Sequence, residues 1–248
     1  MVSDLKQREM KLRGELAALC RLSAMLDWQE ATANHISLAV SDDGTQFLIN
    51  RRWRDFATLK ASELALLDGS ANALPEDVDS TAWAIHGAIH RLVPRARCVV
   101  HLHPAYATAL ACLKDPTLYP VDQTCARFFN RVAVDGAYAG MADNQAEGER
   151  LAKILGEKKI LMMGNHGLLA TGETAAEAFD TFYHFERGAR TLMLAYATGQ
   201  ALSVLNDEVA EKTAQAWDSE PEFGAAHFAQ MRRRLDQDYF CLLYTSDA

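Results

Sequence analysis

Residues 86–110 read HGAIHRLVPRARCVVHLHPAYATAL, and the change of periodicity inside this stretch decides the architecture. Cys98-Val99-Val100-His101-Leu102 is a short apolar run rich in β-branched residues, the composition of a buried strand. Pro104 directly after it suits the first turn of a helix, predicted through Leu113. On the other side, Ser80 or Thr81 is placed to cap a helix running to about Leu92, which Pro94 stops because the residue before a proline avoids helical geometry. The segment therefore reads helix, buried strand, helix.

Outward from this centre the same mixture continues. Towards the N-terminus, Leu5, Leu12, Leu16, Leu19, Leu22 and Leu26 approach helical spacing over residues 4–26. Ile36–Val40 and Gln46–Ile49 flank Ser41-Asp42-Asp43-Gly44, the pattern of a hairpin. Gly69–Pro75 is a predicted loop. Towards the C-terminus, Arg131–Val134 and Ile160–Met163 read as strands, and Gln145–Glu157 as a helix between them. Gly164-Asn165-His166-Gly167 turns the chain, Leu168–Ala170 continues extended, and Thr171 or Glu173 leads into a long helix to about Thr198. Asn206–Tyr239 looks helical. Strands mixed with helices and no clean βαβ repeat predict an α/β fold, a three-layer α/β/α domain with a mainly antiparallel central sheet. No repeat or Pro/Gly-rich linker divides the chain, so residues 1–240 are read as one domain. Residues 241–248, CLLYTSDA, break the charged helical pattern before them and are read as a tail of foreign or truncated origin.

The chain has 248 residues, enough for one large core or two small ones. Its formal net charge of −8 leaves no basic excess to neutralise phosphates, which argues against a general nucleic-acid or anionic-membrane partner. The N-terminal segment is charged and helical in pattern, unlike a signal peptide, and no run of 18 apolar residues predicts a membrane span. Cys20, Cys98, Cys112, Cys125 and Cys241 include no CxxC pair, which fits buried free thiols in a reducing compartment and offers no thiolate metal site. By elimination the expected location is cytoplasmic.

The chemistry-bearing residues begin at the end of the central strand. Positions i and i+2 of a strand point to one face, so His101 and His103 converge. Two imidazoles on a rigid strand are half of a site for a first-row metal. His166 sits in the turn after the second buried strand, between glycines that let a side chain swing towards a neighbour. Each alone is commonplace; three together with an open fourth position form the pattern of a catalytic metal. His86 and His90, at i and i+4, also match a metal-binding face, but their helix must bury Ile85 and Ile89, and packing or hydrogen bonding at the sheet is the plainer reading. His35, His184 and His227 show no partner pattern and default to structure. Arg51, Arg52, Arg127, Gln123 and Tyr138 are plausible pocket groups by type and placement.

Three segments, TANHISLAV (32–40), HGAIHRLVPRARCVVHLHPAYATAL (86–110) and GNHGLLATGETAAEAF (164–179), together resemble the class II aldolase/adducin family, over about Arg13–Gly199. The resemblance implies that His101, His103 and His166 hold one divalent ion, zinc or alternatively manganese or cobalt. It further implies a lyase of aldolase or decarboxylase type, acting through an enediolate on a small oxygenated substrate, in a homo-oligomer, a tetramer with cyclic symmetry. Ser80 and Thr81 match the hydroxyl pair that binds substrate phosphate in the aldolases, and His35 stands where those enzymes have Asn, so all three are expected at the substrate. The aldolase acid/base carboxylate, nineteen positions before the HxH, is Ala82 here, and alanine transfers no proton. HGAIHR resembles the adducin-like branch more closely. Adducins are cytoskeletal and lack a complete triad, so a non-catalytic assembly or binding module is the alternative.

Overall fold

The structure is a computed structural model that describes residues 2–69, 71, 74–138, 140, 141 and 143–235. The proposed tail at 241–248 lies outside the described residues. Seven strands, β1 (His35–Ala39), β2 (Gln46–Ile49), β3 (Ala65–Asp68), β4 (Cys98–Leu102), β5 (Val132–Asp135), β6 (Ile160–Met163) and β7 (Gly167–Gly172), form one sheet in the order β3-β2-β1-β4-β7-β6-β5. Every neighbouring pair is antiparallel except β5 and β6. That parallel pair is a single βαβ unit, closed by α5 (Gln145–Leu155), the crossover that a parallel pair requires.

Helices cover both faces. Ile85, Ala88 and Ile89 of α2 (Ser80–Leu92) and Leu151 and Leu155 of α5 pack on Val99, Leu161 and Leu169. On the other face, α1 (Val2–Met25), α3 (Ala105–Ala111) and α6 (Ala175–Ala197) bury Leu16, Leu19, Leu110, Phe179, Phe182 and Phe185 against Cys98, Val100 and Leu168. The alternation along β4 is the period-2 signal of a strand: Cys98, Val100 and Leu102 serve one layer, and Val99 the other. The expected three-layer α/β/α fold with a mainly antiparallel sheet is what the chain adopts.

Several boundaries differ from the sequence reading. The cap of α2 is Asp79, whose carboxylate accepts from the amides of Thr81 and Ala82; Ser80 is already the first helical residue. Thr174 caps α6, because Thr171 still belongs to β7. A four-residue helix, α4 (Gln123–Ala126), is too short to show a period. The C-terminal helical stretch divides at Pro221 into α7 (Asp207–Asp218) and α8 (Glu222–Arg232). Cys20, Cys98 and Cys125 are buried free thiols as expected, but Cys112 is exposed. No helix of the described residues is long and apolar enough to cross a membrane.

Candidate metal centre

The sheet order makes the site. β4 and β7 are antiparallel neighbours, with His101 opposite Leu169, so the turn preceding β7 is carried to the C-terminal end of β4. His166 in that turn meets His101 and His103: the ring centroids are 4.8 Å, 4.8 Å and 5.1 Å apart for the pairs 101/166, 103/166 and 101/103. One nitrogen of each ring lies within 4.8 Å of the others. Nitrogens that share a tetrahedral zinc at about 2.0–2.1 Å are roughly 3.3 Å apart, so small side-chain movements close the set.

Two hydrogen bonds select the free nitrogen of His101 on β4 and of His103 just after it. His101 Nδ1 donates to the Leu168 carbonyl at 3.1 Å, which leaves Nε2 with its lone pair. His103 Nδ1 lies 2.5 Å from Glu30 Oε2, and its Nε2 is buried without a hydrogen-bond partner. An orphaned, buried imidazole nitrogen facing two other imidazoles is what a metal ligand looks like, and the carboxylate behind it raises ligand basicity. Burial pushes the His166 pKa down to about 4, with the nearby His103 acting the same way. Burial also places His101 well below its usual range. Neutral rings are the ligating form, so the residues present fit a divalent ion.

The glycines flanking His166 do not supply the turn's unusual backbone angle. The left-handed residue of the turn is Asn165, at φ 55°, rather than Gly164 or Gly167. Gly167 is required for space: a Cβ there would meet His103 Cδ2 at 2.4 Å.

The remaining sequence-picked residues sort by position. His35 is opposite His101 in the β1–β4 register, with ring centroids 5.0 Å apart. Burial lowers its pKa to about 4. Thr81 Oγ1 is 3.4 Å from His35 Nε2, while Ser80 is exposed on the first turn of α2. His86 and His90 hydrogen-bond at β1, the plainer of their two readings. Ala82 is buried and packs with Ala39, Phe47, Ile49 and Val78, so side-chain packing fills the acid/base position. Tyr138 is beside the triad, its ring 6.2 Å from that of His166. Arg51 pairs with Asp77, and Arg52 stacks on Trp53.

Arg127 belongs to a second cluster. Its guanidinium is 2.7 Å from Asp180 Oδ2, and Asp180 Oδ1 takes His227 Nδ1 at 2.7 Å and His184 Nδ1 at 3.1 Å. Burial works to raise the Asp180 pKa, but the two histidine hydrogen bonds and Arg127 hold it far below the usual carboxylate range. Although Asp180, His184 and His227 have metal-compatible spacing, the carboxylate is already neutralised by a guanidinium, and His184 Nδ1 also has the Asp180 carbonyl at 2.9 Å. The cluster is a structural tie among α4, α6 and α8. Glu30 is the residue that sequence reasoning missed: it lies in the loop after α1, two residues before the first segment of the family resemblance, with no spacing relation to the histidines.

The family described as Class II Aldolase and Adducin N-terminal domain matches residues 14–193. The chain belongs to this family. A Caulobacter vibrioides protein named for aldolase class 2 is 33% identical over 208 residues, covering 83% of this chain and 80% of that protein. The crystal structure of an aldolase II superfamily protein from Pseudomonas syringae superposes with a TM-score of 0.85 at 30% identity, covering 93% of this chain and 94% of that one. An L-fuculose 1-phosphate aldolase structure superposes with a TM-score of 0.71 at 25% identity, covering 84% and 96%.

Proposed function

We propose that the protein is a metal-dependent carbon–carbon lyase in which His101, His103 and His166 hold one divalent ion, zinc in preference to manganese or cobalt. The observation that carries this reading is the His103 imidazole, backed by Glu30 on one nitrogen and left without a partner on the other, inside a ring of three histidines. A bound divalent ion supplies a positive centre that polarises a substrate carbonyl oxygen and stabilises the negative charge left when a C–C bond breaks. Leu168 and Glu30 fix the ring orientations, and the buried surround excludes water from His101. Ala82 provides no proton, so the chemistry that suits these residues starts without a general base. Decarboxylation of a small keto or sugar acid meets that condition better than aldol cleavage of the standard kind, and both leave the same kind of carbanion.

The family also contains adducins, and the alanine at position 82 favours a second reading, a binding or assembly module without catalysis. Metal content separates the two, since a scaffold has no need of a stoichiometric ion in an open site. Elemental analysis of the purified and reconstituted protein is expected to give one ion per chain, with His101→Ala and His166→Ala each losing most of it. Screening keto acids and sugar acids for cleavage then identifies the substrate. Wild-type protein that binds no ion after reconstitution would exclude the lyase reading. The reading extends to a homotetramer working in the cytoplasm.

A further inference from the structure

Three histidines outside the triad form a continuous hydrogen-bonded chain with Ser37. His90 Nδ1 is 2.8 Å from the Ala96 carbonyl oxygen, and Ser37 Oγ is 2.6 Å from His90 Nε2 and 2.5 Å from His86 Nδ1. His86 Nε2 is in turn 2.7 Å from His35 Nδ1. None of the four side-chain-bearing residues is more than 4% exposed.

A carbonyl oxygen only accepts, so it gives the chain a direction. His90 must carry its hydrogen on Nδ1. A second proton on so deeply buried a ring is unfavourable, which leaves Nε2 as a lone pair that accepts from the Ser37 hydroxyl. Ser37 has one hydrogen to give, so its oxygen accepts from His86 Nδ1–H. His86 Nε2 is then a lone pair and accepts from His35 Nδ1–H. The last ring is left with a lone pair on Nε2. That atom faces Thr81 Oγ1 at 3.4 Å, and the only hydroxyl hydrogen of Thr81 is taken by Asp79 Oδ1 at 2.5 Å.

We propose that His35 Nε2, Thr81 Oγ1 and the Asp79 carboxylate form an all-acceptor subsite beside the metal centre, which binds a substrate through a hydroxyl donor and rejects phosphate. A phosphate would set its oxygens against two lone pairs and a carboxylate with no donor between them, an arrangement that costs binding. This reverses the phosphate role that the family resemblance implies for Thr81 and His35. The inference relies on the lyase reading only in treating the space next to the triad as a substrate pocket.

The test uses full-length protein labelled with 15N-histidine, with and without zinc. Long-range 15N–1H NMR is expected to show His35, His86 and His90 all protonated on Nδ1, with His35 assigned by its loss in His35→Asn. Ser37→Ala cuts the chain and is expected to leave His35 as a mixture of tautomers. Titration with inorganic phosphate is expected to leave the His35 signals unmoved in wild type. The double variant His35→Asn/Asp79→Asn, which replaces an acceptor and a charge with amides, is expected to bind phosphate about tenfold or more tighter than wild type. A His35 ring protonated on Nε2, or wild type binding phosphate at His35 as tightly as the double variant, overturns the proposal. Zinc content is read on the same samples. Its absence would remove the lyase reading, while the tautomer and phosphate results would still decide the subsite.

Discussion

At the residue scale, the proposed metal centre depends on two positions that are not among its three ligands. Glu30 holds His103 in its ligating orientation, so Glu30→Gln is expected to weaken metal affinity by about 10- to 100-fold while leaving the melting temperature of the metal-free protein unchanged, as read by chelator competition and thermal melts. Gly167→Ala drives a methyl into the His103 ring, which must swing away. The expected result is a comparable loss of affinity, again by chelator competition, and unaltered affinity would refute the contact argument. The triad was legible because strand alternation fixes the relation of His101 to His103, and a turn after a buried strand flags His166. Glu30 left no such trace, since nothing local connects a loop after α1 to the end of β4. The caps at Asp79 and Thr174 differ from the sequence reading by one to three residues, because Ser, Thr and Asp are all competent caps and the backbone chooses among them.

At the scale of elements, the tie at Asp180 is the feature that sequence periodicity could not reveal. It gathers Arg127 after α4, His184 one turn along α6 and His227 from α8 around a single buried carboxylate. Removing that carboxylate strands Arg127 and loosens α8. Asp180→Ala is expected to lower the unfolding free energy by about 3 kcal/mol, measured by urea titration. The metal content is expected to stay at one ion per chain, and a loss of a second ion would instead make this cluster a metal site. By contrast, the order of helices and strands was readable almost throughout, since each long element carries one clear period and its own stop signal. What the periods did not contain was pairing: the parallel β5–β6 edge and the adjacency of β4 and β7 arise only when the whole sheet closes.

At the scale of the molecule, the buried histidine chain gives stability a sign with pH. Burial holds His90 down at about 3, against the Ala96 hydrogen bond that works to raise it, and burial likewise pushes His86 well below its usual range. The unfolded chain takes up these protons near pH 6.5, where the folded chain does not. Stability is therefore full above that value and falls as the pH drops from about 6.5 towards 3, by up to about 1.4 kcal/mol per pH unit per group. Urea midpoints of metal-free protein are expected to hold nearly level from pH 7.5 to about 6.5 and to fall from there to pH 5, and a flat profile below pH 6.5 would exclude neutral buried rings. A tetramer is the assembly expected in solution, and light scattering giving the monomer mass of 27.4 kDa would contradict it. The position of β7 beside β4 has a further consequence, in time rather than in space. The chain is synthesised from its N-terminus, and His103 is complete some sixty residues before His166 leaves the ribosome. A nascent chain holds only two of the three imidazoles through that interval, so on the proposed reading capture of the ion waits for β7 to dock, and a product truncated before it goes without.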